Sequence, residues 1–140
     1  MPISADTQPN GAVAARISNA VVQTLHEYTG RGPTKARTDI NPSSVVVLLG
    51  DTLTKGERVL VDNGRPELVL QTRQAFQGLM RDDLVAAVEG LMERKVIAFM
   101  SENHINPDMA AEIFVLEPSP DSESSPTVPI EHSARSEQAD

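Results

Sequence analysis

The chain is 140 residues long, with 20 acidic and 12 basic side chains, a net charge of −8 and no cysteine. That charge argues against a nucleic-acid binder, whose footprint is a basic face, and the missing thiols exclude disulfides, thiolate nucleophiles and cysteine metal sites. No apolar run approaches the ~20 residues of a membrane span, and Met1 to Asn10 has neither the basic nor the apolar region of a secretion signal. The expectation is a cytoplasmic domain with no direct membrane insertion.

Residues 1–11 are polar and carry Pro2 and Pro9, which reads as a flexible N-terminal arm. From Ala12 to Thr29, Val13, Ile17, Ala20, Val21, Thr24, Leu25 and Tyr28 recur at three- and four-residue spacings, predicting an amphipathic helix that Gly30 ends. Lys35 to Ile40 alternates, with Ala36, Thr38 and Ile40 on one face and Lys35, Arg37 and Asp39 on the other. Asn41-Pro42-Ser43 is turn chemistry and Ser44 to Leu49 a β-branched run, so the two segments predict a hairpin.

Thr54 followed by Glu57 forms a capping box that opens a short helix through about Val61. Asn63-Gly64 stops it, and Pro66 suits the first turn of the next. Val69, Thr72, Phe76, Leu79, Met80, Leu84, Val88 and Leu91 keep one side of Pro66 to Glu93 apolar, which favours one long helix, with Asp82-Asp83 as a candidate break. Val96 to Ser101 reads as a third strand, Asn103 to Asp108 as a loop and Ala111 to Leu116 as a fourth strand. Residues 119–140 contain five acids, one base and no aromatic residue, too little apolar surface to offset ordering entropy, and are expected as a disordered acidic tail.

The predicted fold class is therefore α+β: an antiparallel four-stranded sheet with helices on one face, in the order α-β-β-α-α-β-β over residues 12–118. The last three strands carry apolar residues on both faces. An uncovered apolar sheet usually marks an interface, so a homodimer through sheet or helix surfaces is expected.

The most unusual stretch is Gly30-Arg31-Gly32-Pro33-Thr34-Lys35-Ala36-Arg37. Gly30 and Gly32 free backbone amides, and Arg31, Thr34, Lys35 and Arg37 can all donate to a small anion or a partner. The bland alternative is a helix cap and turn whose bases pair with Asp39, Asp51 or Glu102. A secondary candidate is Glu102, Asn103 and His104, read as a strand running into a loop. His104 with Asp108 and Glu112 matches no ligand spacing, so no metal and no cofactor are expected, and no nucleophilic arrangement surrounds any serine. Phe76, Phe99 and Phe114 read as core.

A resemblance rests on ordered residues: Ile17-Ser18-Asn19-Ala20; Gly30 through Arg37; Leu53-Thr54, Glu57 and Leu60; Phe76, Arg81 and Val85 through Glu89; Lys95 through Phe99; Ser101, Asn103 and His104; and Phe114 through Pro118. In this order the chain resembles the MpsC-like family, a domain of unknown function named for a subunit of a sodium-translocating, membrane-potential-generating system linked to bicarbonate uptake. Glu102 stands where the family is associated with an aspartate. The resemblance implies an accessory or regulatory module beside integral-membrane transporter subunits, held there through protein contacts. It supplies no reaction. The alternatives are an enzyme on a small anionic substrate, with His104 or Glu102 moving a proton beside the basic cluster, and a purely structural dimeric scaffold.

Overall fold

The computed structural model describes residues 9–118 and 127–130, and the elements run α1 (Pro9–Thr29), β1 (Lys35–Asn41), β2 (Ser44–Gly50), α2 (Lys55–Asp62), α3 (Pro66–Met92), β3 (Val96–His104) and β4 (Met109–Leu116). The four strands form one antiparallel sheet in the order β1-β2-β4-β3. The helices pack on one face, α1 against β1 and α3, α3 against β3, and α2 against α3. The α+β order read from the sequence is the observed one.

Local signals account for most boundaries. Pro9 heads α1, three residues earlier than expected, because a proline fits the first helical turn, where its missing N–H is not needed. Residues 9–11 are thus helix rather than arm, and the rest of the arm lies outside the described residues. Gly30, at φ +82°, ends α1, its amide donating to the His26 carbonyl at 2.8 Å. Thr54 caps α2 in a complete box: its hydroxyl accepts from the Glu57 amide, and Glu57 accepts from the Thr54 amide at 2.8 Å. Replacing Thr54 by Ala is expected to cost about 1 kcal/mol of stability in urea denaturation. A smaller loss from Thr54→Ser than from Thr54→Ala would identify the hydroxyl as the cause.

α3 runs through Asp82-Asp83 without a break, because both acids are exposed while Met80, Leu84 and Val88 carry the buried stripe across them. Leu79, expected on the apolar side, is 67% exposed, and Thr72 is exposed as well. The inward stripe steps through Val69, Arg73, Phe76 and Met80, which puts Arg73 where Thr72 was expected.

The second hairpin departs most from expectation. β3 continues to His104 and β4 starts at Met109, so Ser101 through His104 are strand, not the entrance to a loop. Polar residues hold this strand because Met109 to Glu112 pair with them across the ladder. A register shift between Val96 and Ala98 also interrupts the alternation: Val96 and Phe99 face inward, Ala98 and Met100 outward, and Ile97 is left exposed. Arg94 fastens this end, its guanidinium donating to the Pro42 and Glu117 carbonyls at 2.8 Å each.

The core lies between the helices and the inner sheet face. Ile17 and Val21 of α1, Met80, Leu84 and Val88 of α3, Val45, Val47 and Leu49 of β2, and Phe114 and Leu116 of β4 are all buried there. Phe99 packs on Phe114 with centroids 5.0 Å apart, and Phe76 borders the cluster, so the three phenylalanines are core or core-edge residues. The expected tail of residues 119–140 lies outside the described residues except for 127–130, where Val128 and Ile130 are exposed.

Candidate functional site

The glycine turn after α1 has a packing reason for its second glycine. A Cβ at Gly32 would meet the Val22 carbonyl at 3.0 Å and the Val22 side chain at 3.1 Å, so the chain can pass α1 this closely only without a side chain there. Beyond it, Arg31 and Thr34 converge, but on a carboxylate of the chain itself. Arg31 Nη2 pairs with Asp51 Oδ2 at 3.1 Å, Arg31 Nη1 donates to the Asp51 carbonyl at 2.9 Å, and Thr34 Oγ1 donates to Asp51 Oδ2 at 2.6 Å. The Thr34 hydroxyl first, and Arg31 with it, holds the Asp51 carboxyl below its usual range. Arg37 pairs with Asp39 at 3.2 Å on the exposed face of β1. Arg31, Thr34 and Arg37 thus contact Asp51 and Asp39, the pairing of the bland alternative, while Lys35 lies exposed on β1.

A second polar centre lies behind Asp51, and Arg73 is its hub. All five N–H groups of its guanidinium are engaged. Nε and Nη2 fork onto the Glu57 carboxylate at 2.9 and 2.7 Å, Nη1 donates to Thr52 Oγ1 at 2.9 Å and Asn103 Oδ1 at 2.8 Å, and Nη2 also reaches the Thr52 carbonyl at 2.8 Å. Glu57 thus serves twice, as the acid of the α2 capping box and as the partner of Arg73. Burial works against its charge, but Arg73 and the Thr54 amide outweigh burial and hold the carboxyl below its usual range.

Asp108 completes the centre from the β3–β4 turn. Its carboxylate accepts the Thr52 amide at 3.0 Å, the Thr52 hydroxyl at 2.6 Å, the Leu53 amide at 3.0 Å and Arg58 at 3.3 Å. Burial opposes its ionisation, yet these donors hold it below the ordinary aspartate range. The network ties the β2–α2 connection, α2, α3 and the second hairpin into one end of the domain.

Beneath this centre is a cavity of about 60 Å³, lined by Leu25, Pro33, Phe76, Met80, Arg73 and Glu112 among others. Glu112 is 3% exposed, at an inward position of β4 between Ala110 and Phe114, and its Oε1 finds no hydrogen-bond partner among the described residues. Burial pushes its carboxyl up to about 7, against the opposing pull of the Ser101 hydroxyl and Arg73.

The secondary candidates divide between the two sheet faces. Asn103 points inward to Arg73, whereas Glu102 and His104 lie on the outer face, and His104 Nδ1 is bonded to the Pro107 carbonyl at 2.8 Å. Lys35 and Arg37 share that outer face at the opposite edge, on β1. Three strand spacings, about 14 Å, separate the two edges. Arg73, Thr52 and Glu112 went unassigned in the sequence reading, although a signal for two of them was present. Arg73 stands four residues after Val69 and three before Phe76, on the helix's apolar stripe, and Glu112 is two residues before Phe114 on the alternating inner face of β4. Among the described residues no group of three or more His, Asp or Glu could hold a metal ion.

Fold and site together define a small α+β domain with a polar network at one end, and no helix among the described residues is long and apolar enough to cross a membrane. A family model described as "Na+-translocating membrane potential-generating system (MpsC)" matches residues 10–118, and the chain belongs to that family. No curated protein and no solved structure matches the chain.

Proposed function

We propose that the chain is an accessory module of a sodium-translocating membrane system, docked on integral-membrane subunits by protein contacts. The observation that carries this reading is the family match, which runs from α1 to the end of β4 and so takes in the whole described domain. A conduit needs backbone satisfied within the bilayer, and no helix among the described residues is long and apolar enough to supply it, so this reading assigns the translocating path to a partner. The excess of acidic side chains disfavours attachment to anionic lipid and favours attachment through protein.

Two other readings draw less from the geometry. An anion sensed at the glycine turn would have to displace Asp51 from Arg31 and Thr34. An enzyme pairing His104 with the basic cluster would have to act across the width of the sheet. The decisive experiment is affinity purification of the full chain from its native cells in mild detergent. Membrane subunits of a sodium transporter are expected in the eluate, and a bicarbonate-transporting subunit among them would extend the role to that anion. Recovery of the chain without any membrane protein would overturn the accessory role.

A further inference from the structure

Among the described residues no element covers the outer face of the sheet, and its residues fall in transverse rows set by the strand register. One row reads Arg37, Leu48, Ala111, Glu102 from β1 to β3; the next reads Asp39, Val46, Ile113, Met100. A third reads Asn41, Ser44, Val115, Ala98, and the row at the other end reads Lys35, Gly50, Met109, His104. The centre of the face is apolar, through Val46, Leu48, Ala111, Ile113 and Val115, and Met100 beside it is 50% exposed. Lys35 and Arg37 stand on one edge strand, with Asp39 beside them, and Glu102 on the other.

We propose that this face binds the same face of a second copy of the chain, about a two-fold axis running along the strands between β2 and β4. Such an axis reverses the strand order and keeps the rows. β1 of each copy then lies over β3 of the other, Arg37 comes opposite Glu102 of the partner subunit, and the apolar centres meet. The charges favour a second copy because the β1 edge, with Lys35 and Arg37 against Asp39, carries a net positive charge and its Arg37 falls in the row of Glu102, so the dimer sets two opposite-charge pairs across the axis. Sheets packed face to face cross at about 30°. An edge strand about 7 Å from the axis is then displaced by about 4 Å, which the long Arg and Glu side chains can span.

Area is consistent with this. Four strands spaced about 4.8 Å apart and seven residues long at about 3.3 Å each give about 450 Å² of plan per copy. Two copies remove about 900 Å² before side-chain relief is added, close to the roughly 1,000 Å² that a specific interface should clear. The Arg37–Asp39 pair of the single chain is no obstacle: Arg37 is 74% exposed, and an exposed pair contributes at most about 1 kcal/mol. The two residue sets singled out in the sequence, Lys35 with Arg37 and Glu102 with His104, become the two rims of one interface.

The inference goes beyond the accessory role and stands or falls separately, since a monomer can also dock on a membrane protein. The test is sedimentation equilibrium of the full chain and three variants, with circular dichroism to check folding. The parent is expected to be a dimer at micromolar concentration. Ile113→Asp, at the centre of the face, is expected to yield a folded monomer. Arg37→Glu is expected to weaken association roughly tenfold or more, because both symmetric rim pairs become repulsive. Adding Glu102→Arg to Arg37→Glu is expected to restore association.

A monomeric parent would overturn the proposal. A dimer indifferent to Arg37→Glu would also overturn it. If Ile113→Asp also proves unfolded, the charge-reversal pair still decides, and failure of the double variant to recover would refute the two-fold register.

Discussion

Arg73→Met is expected to be among the most destabilising single substitutions in the domain, at about 3–5 kcal/mol, the usual cost of removing one member of a buried ion pair. Arg73 is 15% exposed, so some of its charge is screened and the lower half of that range is the expectation. What makes the loss large is what remains behind. Glu57 would keep a desolvated charge without its fork, while the Thr52 carbonyl and Asn103 Oδ1 would lose their donors. A domain of this size should then melt about 10 °C lower or more. Arg73→Lys retains the charge but not the planar five-donor geometry, and should recover only a minor part of the loss. Urea denaturation of the three proteins at pH 7 measures this directly, and a loss under about 1 kcal/mol for Arg73→Met would mean the network is solvent-compensated. A double-mutant cycle with Glu57→Gln should show coupling, since the two side chains share both short hydrogen bonds.

Glu112 is expected to make the protein less stable above neutral pH than below it. Its carboxyl ionises at about 7 in the folded chain, against 4.5 for an ordinary glutamate. Because the folded value is the raised one, the favourable contribution is complete below about pH 4.5 and is lost as pH rises through about 7. The full loss is on the order of 3 kcal/mol. Glu57 and Asp108 act in the opposite sense, since their folded values are lowered and their contribution disappears in acid. Stability should therefore peak in mildly acidic solution, between the two losses. Glu112→Gln keeps the shape without the charge, and should flatten the decline between pH 5 and 8 while leaving the acid limb unchanged. Urea titrations at several pH values would show it. A variant profile parallel to that of the parent would rule out Glu112 as the source.

These two residues also show where sequence reading stops. Each stands at a position whose periodicity points inward, so its burial was legible in principle. Arg73 lies on the stripe of Val69, Phe76 and Met80, and Glu112 on the alternation of Phe114 and Leu116. Their partners were not legible. Thr52, Glu57 and Asn103 come from a connection, a helix and a strand, and Arg73 joins Asn103 across thirty positions of sequence. The basic turn illustrates the same limit. Its donors are adjacent in sequence and point to a site for an anion or a partner, and only the fold shows that Asp51 returns to contact two of them, Arg31 and Thr34.

What the sequence alone determined is the part governed by contacts between near neighbours. The alternation of Lys35 to Ile40, the β-branched run after Ser44, the Thr54–Glu57 box, Gly30 after α1 and Pro66 before α3 each act over a few residues, and each element formed where its pattern stood. The α+β order follows from them. Only the tertiary structure decided how far β3 and β4 run, because polar residues such as Ser101, Glu102 and Asn103 become strand when a partner strand supplies their backbone hydrogen bonds. It decided likewise that Asp108 would hold the β2–α2 connection, and that two distant pieces of sequence would stand on the two edge strands of one sheet face. Those outcomes depend on register and chain path, which sum many weak contacts between segments far apart, and no short window of residues contains them.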